Sequence, residues 1–257
     1  MRSFSKLNRC TATGNIRALI FDVDGTLADT ERDGHRVAFN QAFADAGLDW
    51  HWDVETYGRL LKVTGGKERI RYFVGMVDMN VHPTIGFGKG PGVGLDSFIS
   101  ALHQSKTRYF ANLLQSGAIS LRPGVERLLN EARAAGLRLA IATTTTPENV
   151  TTLLTATLGE ESIAWFDVIA AGDVVAEKKP APDIYQHTLQ NLGLKASECL
   201  AFEDSENGLL SATGAGLTTI VTVNGYTREQ DFSAAAMVLD RLDEPGTGLG
   251  ELSRLFG

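Results

Sequence analysis

The chain has little cysteine: Cys10 and Cys199 are the only two in 257 residues. So few, so far apart, exclude a disulfide framework or a thiolate metal site and make a reducing compartment the default; neither is assigned a role. Long apolar runs are also missing, with nothing near the roughly 20 residues that span a bilayer, so no membrane partner is expected. Nor is there a basic excess. Against 31 Asp and Glu stand 24 Lys and Arg, a formal net charge of −7, which is the wrong field for a phosphate backbone and argues against nucleic acid as a partner. Acid is absent only at the start: residues 1–17, MRSFSKLNRCTATGNIR, carry Arg2, Lys6, Arg9 and Arg17 and no Asp or Glu. That composition is similar to an organelle transit segment but shorter than one, and a tail or an early start codon is the simpler reading. The expected compartment is the cytoplasm, or the plastid stroma if the source is eukaryotic.

What the chain does contain is a rhythm. From residue 121 onward, Arg122-Pro123-Gly124 opens the amphipathic VERLLNEARAA, Gly136 follows as a helix-ending glycine, and LRLAIAT reads as a buried strand. Thr146-Pro147 starts a second helix, FDVIAAG is a strand, Pro182 starts a third helix, and ECLAFED, SENGLLSATGAG and LTTIVTV continue as strand, helix, strand. Alternation of this kind implies a parallel sheet covered by helices on both faces. Residues 31–117 break the pattern, reading as consecutive helices with Phe39, Ala42, Phe43 and Ala46 on one face of the first. The expected fold is therefore α/β: a Rossmann-like, doubly wound parallel sheet formed by residues 16–30 and 118–257, an inserted α-helical cap at 31–117, and a tail at 1–15. Glycine at every second position from Gly86 to Gly94 marks a loop within the cap.

The stretch ALIFDVDGTLADTE, residues 18–31, ends an apolar strand in two aspartates, Asp22 and Asp24. In an open parallel sheet, ligands bind beyond the carboxyl ends of the strands. Two carboxylates so close resist ionising together unless a cation sits between them, and Mg²⁺, hard and oxygen-seeking, suits a pair that also meets phosphate. On its own the motif is as well explained by a polar turn. Three further strand ends tip the balance: IATTTT with Thr143 and Thr144 and the N–H groups that follow, EKKPAPD with Lys179 held extended before Pro180, and AFEDSENG with Glu203 and Asp204. Threonines for phosphate oxygens, a lysine for charge and a second acidic pair together make a phosphoryl-transfer site. Mg²⁺ on Asp22, Asp204 and the Asp24 carbonyl, with Lys179 beside it, would neutralise the phosphoryl group. One aspartate would attack phosphorus, and the other would protonate the leaving oxygen and later deprotonate water.

In order, DVDGT, IAT, KPAPD and FEDS resemble the four motifs of the haloacid dehalogenase superfamily of phosphotransferases. The resemblance covers residues 16 to about 225. It implies that Asp22 is the nucleophile, Asp24 the acid/base, Thr143 the phosphate-binding hydroxyl, Lys179 the motif lysine and Asp204 a metal ligand, with Glu203 a second ligand directly or through water. The insert after the first motif is similar to the helical cap of the subgroup that includes β-phosphoglucomutase and sugar-phosphate phosphatases. TGGKERI at 64–70 and LADTE through Glu31 look like the CbbY-type phosphatases of carbon-fixation operons. That likeness implies hydrolysis of xylulose 1,5-bisphosphate, an inhibitory by-product of Rubisco.

The cap adds its own signals. Lys67 and Arg69 follow Gly65-Gly66 at a helix start, where free N–H groups favour an anion; on spacing alone a solvated basic helix end explains them slightly better. At 100° per residue, Lys106 falls among Phe98, Leu102, Tyr109 and Leu113, where a charge must snorkel or meet an anion. His35 falls with Phe39, Ala42 and Ala46, one turn after Glu31. Glu31, His35, Lys67, Arg69 and Lys106 are thus the expected substrate-facing residues of the cap. A phosphate cleaved at Asp22 and another held by cap cations suit a small sugar bisphosphate. The expected activity is a Mg²⁺-dependent phosphatase, in all expectation monomeric; the alternative is a phosphomutase on the same catalytic residues. A non-catalytic phosphate-binding module would lack one of Asp22, Asp24, Lys179 or Asp204, and all are present.

Overall fold

The structure, a computed structural model, describes residues 16–76 and 94–256; the expectations for the tail and for the glycine-spaced segment before Gly94 lie outside these residues. Six strands form one sheet in which every described pairing is parallel: β1 Ala18–Phe21, β2 Arg138–Thr143, β3 Val168–Ala171, β4 Cys199–Glu203, β5 Thr218–Thr222 and β6 Met237–Leu239, in the spatial order β3-β2-β1-β4-β5-β6. The chain runs outward from β1 through β2 to β3 and then returns to the other side of β1 as β4. The order therefore reverses between β1 and β4, where a doubly wound sheet leaves its ligand crevice.

Strands buried on both faces read as continuous apolar runs, and the side chains divide them by size. Leu19, Phe21, Leu139, Ile141, Leu200 and Phe202 face one helical layer, with Phe21 and Phe202 stacked at 4.6 Å. Ala18, Ile20, Ala140, Ala142, Cys199 and Ala201 face the other. The larger residues meet α5 Val125–Ala134 and α6 Pro147–Leu158, and the smaller ones allow α7 Asp183–Leu192 and α8 Glu206–Gly214 to approach closely. A strand of three residues with no fully buried position, β6 is absent from the sequence reading because it has too little apolar pattern to register.

Between β1 and α5 lie α1 Arg36–Asp45, α2 Val54–Leu60, α3 Gly66–Met76 and α4 Leu95–Gln115, with no sheet strand among the described residues there. They share an aromatic core of their own in which Phe39, Phe43, Trp50, Trp52 and Tyr57 are buried. Ala28 bridges Leu121, and the Arg122 N–H donates to Leu27 O at 2.8 Å, so the chain leaves and re-enters the sheet layer at one place. Two local expectations shift. The helix expected from Glu31 begins as a π-helical turn, Glu31–His35, before α1, and Ala46 is exposed. On α4 the buried companions of Lys106 are Ile99, Leu102, Phe110 and Leu114; Phe98, Tyr109 and Leu113 are only partly buried.

Candidate active site

Asp22 directly follows β1, and its N–H donates to Phe202 O at 3.0 Å, so the pairing of β1 with β4 fixes its position. Glu203 ends β4 and Asp204 follows it. Carboxylate oxygens of Asp22, Glu203 and Asp204 lie within 4.8 Å of one another, all buried. From the loop before α7, Lys179 Nζ donates to Asp22 Oδ1 at 2.7 Å and to Glu203 Oε1 at 2.6 Å, and the Tyr185 hydroxyl donates to the same Glu203 oxygen. Burial, reinforced by Glu203 and Asp24 and opposed by Lys179, raises the Asp22 carboxyl to about 7. Burial together with Asp22 and Glu203 raises Asp204 well above its ordinary range. One lysine does not balance three buried acids.

The residues present fit a divalent cation. Glu203 Oε2 is buried without a hydrogen-bond partner, the raised Asp22 and Asp204 carboxyls signal missing positive charge, and the donor set is all oxygen, the chemistry of Mg²⁺ rather than of a soft metal. Gly25, at φ +86°, makes room for this cluster: a Cβ there would fall on Asp204 Oδ2 and 2.8 Å from Asn224 Nδ2.

Asp24 faces a different set. Thr30 Oγ1 donates to its Oδ1 at 2.6 Å, His35 Nε2 lies 2.7 Å from the same oxygen, and Lys106 Nζ lies 2.7 Å from His35 Nδ1. An ammonium can only donate, so His35 Nδ1 accepts and the imidazole proton sits on Nε2, aimed at Asp24. Burial works to raise the Asp24 carboxyl, but His35, Thr30 and Lys106 outweigh it and hold it far below the carboxylate range. The Lys106 ammonium is pushed down to about 8 by burial, against the attraction of Asp24 and Glu31. Asp22 and Asp24, two residues apart, are thus driven in opposite directions, Asp22 upward by burial among other acids and Asp24 downward by His35, Thr30 and Lys106.

A cavity of about 280 Å³ joins these groups. Asp22, Asp24, Thr143, Thr144, Lys179, Glu203 and Asp204 line its sheet side, and Glu31, Thr64, Gly65 and Arg69 its helical side. A smaller adjoining space of about 50 Å³ is lined by His35, His103, Lys106 and Gly66, with Asp24, Glu31, Arg69 and Thr144 shared. Arg69 is 7% exposed; its guanidinium donates to the Tyr57 hydroxyl at 2.9 Å and to Leu60 O at 3.3 Å, while Tyr57 donates to Glu31. Gly65 sits at φ +95°, a left-handed backbone that favours glycine, and a Cβ on Gly66 would lie 2.5 Å from the buried His103 Nε2.

Lys67 is the exception among the expected residues. It lines neither space and pairs instead with Asp173, beyond β3, at 2.8 Å. Two positions on a helix stand about 200° apart, so with Arg69 turned inward Lys67 points away. Of the two expected cations, the structure thus brings Arg69 and not Lys67 to the cavity. Tyr185, Asn224, Thr30 and Tyr57 were missed. Asn224 had a legible signal, a polar residue immediately after the buried β5 run, and its Nδ2 donates to Asp204 Oδ2 at 2.7 Å.

A family model described as haloacid dehalogenase-like hydrolase matches residues 16–216. The chain belongs to this hydrolase family, among its CbbY-type phosphatases. It is 52% identical over 220 residues to Protein CbbY of Rhodobacter capsulatus, covering 86% of this chain and 91% of the relative. Crystal structures of CbbY from Rhodobacter sphaeroides superpose with a TM-score of 0.82: one in complex with phosphate at 47% identity, and one of a mutant in complex with xylulose-(1,5)bisphosphate at 46%, each covering 92% of this chain and 99% of the other. Among the described residues no helix is long and apolar enough to cross a membrane.

Proposed function

We propose that this sugar phosphatase hydrolyses the 1-phosphate of xylulose 1,5-bisphosphate with Mg²⁺, through a phosphoryl group carried on Asp22. The observation that carries the reading is that one cavity is lined by the acid cluster and Lys179 from the sheet side and by Arg69 from the helical side, with Lys106 in the adjoining space. A molecule with one phosphate fills only half of that pattern. The bisphosphate seen in the structure of the related CbbY supports the same choice.

Asp22, Glu203, Asp204 and the Asp24 carbonyl would hold the cation, which supplies positive charge to the phosphoryl oxygens. Lys179 adds charge from beside Asp22, and the Thr143 hydroxyl and the Thr144 N–H orient the remaining oxygens. An Asp22 carboxylate oxygen attacks phosphorus and the bond to the sugar oxygen breaks. That oxygen takes its proton from Asp24, which receives it from His35 Nε2 at 2.7 Å as the Lys106 ammonium passes one of its own protons to His35 Nδ1 at 2.7 Å. In the second half, Asp24 takes a proton from a water that attacks phosphorus, and the bond to Asp22 breaks to release phosphate. Residues 31–117 act as the cap that closes this space and selects the sugar.

Phosphate release with Mg²⁺ from xylulose 1,5-bisphosphate, ribulose 1,5-bisphosphate, β-glucose 1-phosphate and simple monophosphates tests the reading. Selective release from the first, leaving xylulose 5-phosphate, is expected. Conversion of β-glucose 1-phosphate to glucose 6-phosphate without free phosphate would overturn it in favour of a mutase.

A further inference from the structure

Resting on the metal site proposed above, we infer that Arg122 is a positioning residue that fixes the cation site from behind. It lies outside the four strand-end motifs. Its guanidinium donates to four backbone carbonyls: Gly25, Thr222 at 2.9 Å, Val223 at 2.6 Å and Asp240 at 2.9 Å. These belong to three separate segments, namely the turn after β1, the exit of β5 and the residue after β6. No carboxylate lies within ion-pair distance of it among the described residues.

Both of the first two segments carry parts of the cation site. Gly25 follows Asp24, whose carbonyl is assigned as a ligand. Val223 precedes Asn224, which holds Asp204 Oδ2 at 2.7 Å. The fit between them is close enough that a Cβ on Gly25 would touch Asp204 and Asn224 alike. Carbonyl dipoles converging on one point repel unless a cation sits among them, and the flat five-donor fork of arginine serves several at once. Without it the carbonyls must part and draw water, and the Asp24–Gly25 turn moves against Asp204. The sequence position supports the same role: Arg122 follows Leu121, which bridges Ala28, so its backbone is anchored beside the turn that its side chain holds.

Partners that hold ligands in place typically change metal affinity by about 10–100-fold. The test is Mn²⁺ binding, read from the free-ion electron paramagnetic resonance signal of the full chain, which requires no turnover. Wild type, Arg122→Lys and Arg122→Met are compared, with folding checked by circular dichroism. Arg122→Met is expected to bind Mn²⁺ about 10–100-fold more weakly, and Arg122→Lys to fall between, since an ammonium reaches fewer of the carbonyls. Activity lost at low Mg²⁺ should return at high Mg²⁺, with KM for the sugar phosphate unchanged. Folded Arg122→Met with wild-type Mn²⁺ affinity overturns the inference. Should that variant not fold, Arg122→Lys decides: folded and with wild-type affinity, it overturns the inference equally. Wild type that binds no Mn²⁺ overturns the metal reading itself, a different failure.

Discussion

Lys179 bridges Asp22 and Glu203, with its ammonium 2.7 Å from one carboxylate and 2.6 Å from the other and all three side chains buried. One cation thus serves the proposed nucleophile and a proposed metal ligand together, and the relationship makes a prediction about stability as well as rate. Lys179→Met leaves two buried acids without their counter-charge, and removing one partner of a buried pair typically destabilises by about 3–5 kcal/mol. Urea denaturation at pH 7.5 without metal should show a loss in that range. Turnover should fall by about 10²–10³, the usual effect of losing one charge-stabilising donor. Unchanged stability would mean that the acids are not held by Lys179.

The second prediction concerns Asp24. His35 is the chief influence holding its carboxyl low against burial. With His35→Ala that carboxyl rises, so the ionised form needed to take a proton from water is lost at a higher pH. The acid limb of the kcat profile should move upward, and kcat should drop by about 10²-fold, the lower end of a general acid–base contribution. His35→Asn, which keeps a donor, should restore part of the shift. An acid limb that stays in place in both variants would detach His35 from the chemistry.

How much of this was legible beforehand follows from where each residue sits. Asp22 and Asp204 directly follow strands, Thr143 ends β2 and Lys179 lies in the loop before α7, and the rule that α/β sites form at strand ends finds such residues without coordinates. Lys106 was legible too, because a charge amid an apolar helical stripe is conspicuous, although the stripe that buries it runs through Phe110 and Leu114 rather than Tyr109 and Leu113. Their partners were not. Tyr185 is 18 residues from Glu203, Tyr57 is 26 from Glu31 and Asp173 is 106 from Lys67. No periodicity links such positions, and only the folded chain brings them together. Arg122 looked like the start of a helix for the same reason, its acceptors being backbone carbonyls that sequence does not mark.

The third prediction is a pH dependence centred on Lys106. Its folded value of about 8 lies below the ordinary 10.5 because burial penalises the ammonium. Between those values the unfolded chain binds more protons than the folded one, so stability rises with pH across that window. Denaturation of the metal-free protein at pH 8 and pH 10 should show the rise, and Lys106→Met should flatten it. Ligand binding goes the other way: as the ammonium is lost above about pH 8, KM for a bisphosphate should increase. A stability difference equal in both proteins would refute the assignment.

The last prediction separates the two basic residues of α3. Lys67 is tied to Asp173, where Lys178 also pairs at 2.7 Å, and the side chain of Lys67 is 44% exposed. Surface pairs of this kind contribute about 0–1 kcal/mol, so Lys67→Ala should leave stability nearly unchanged and KM for xylulose 1,5-bisphosphate within about 5-fold by the same figure. Arg69 is buried against Tyr57 and lines both parts of the cavity. Arg69→Met should raise KM for the bisphosphate by about 10-fold or more, the loss expected for a charge-assisted contact of about 1.5–3 kcal/mol, while KM for a monophosphate changes far less. The ratio of the two KM changes is the decisive number, because misfolding alters both substrates alike. If Lys67→Ala proves the more damaging change, the distal phosphate is held where α3 meets Asp173, and the Lys67–Asp173 pair must open for substrate to bind.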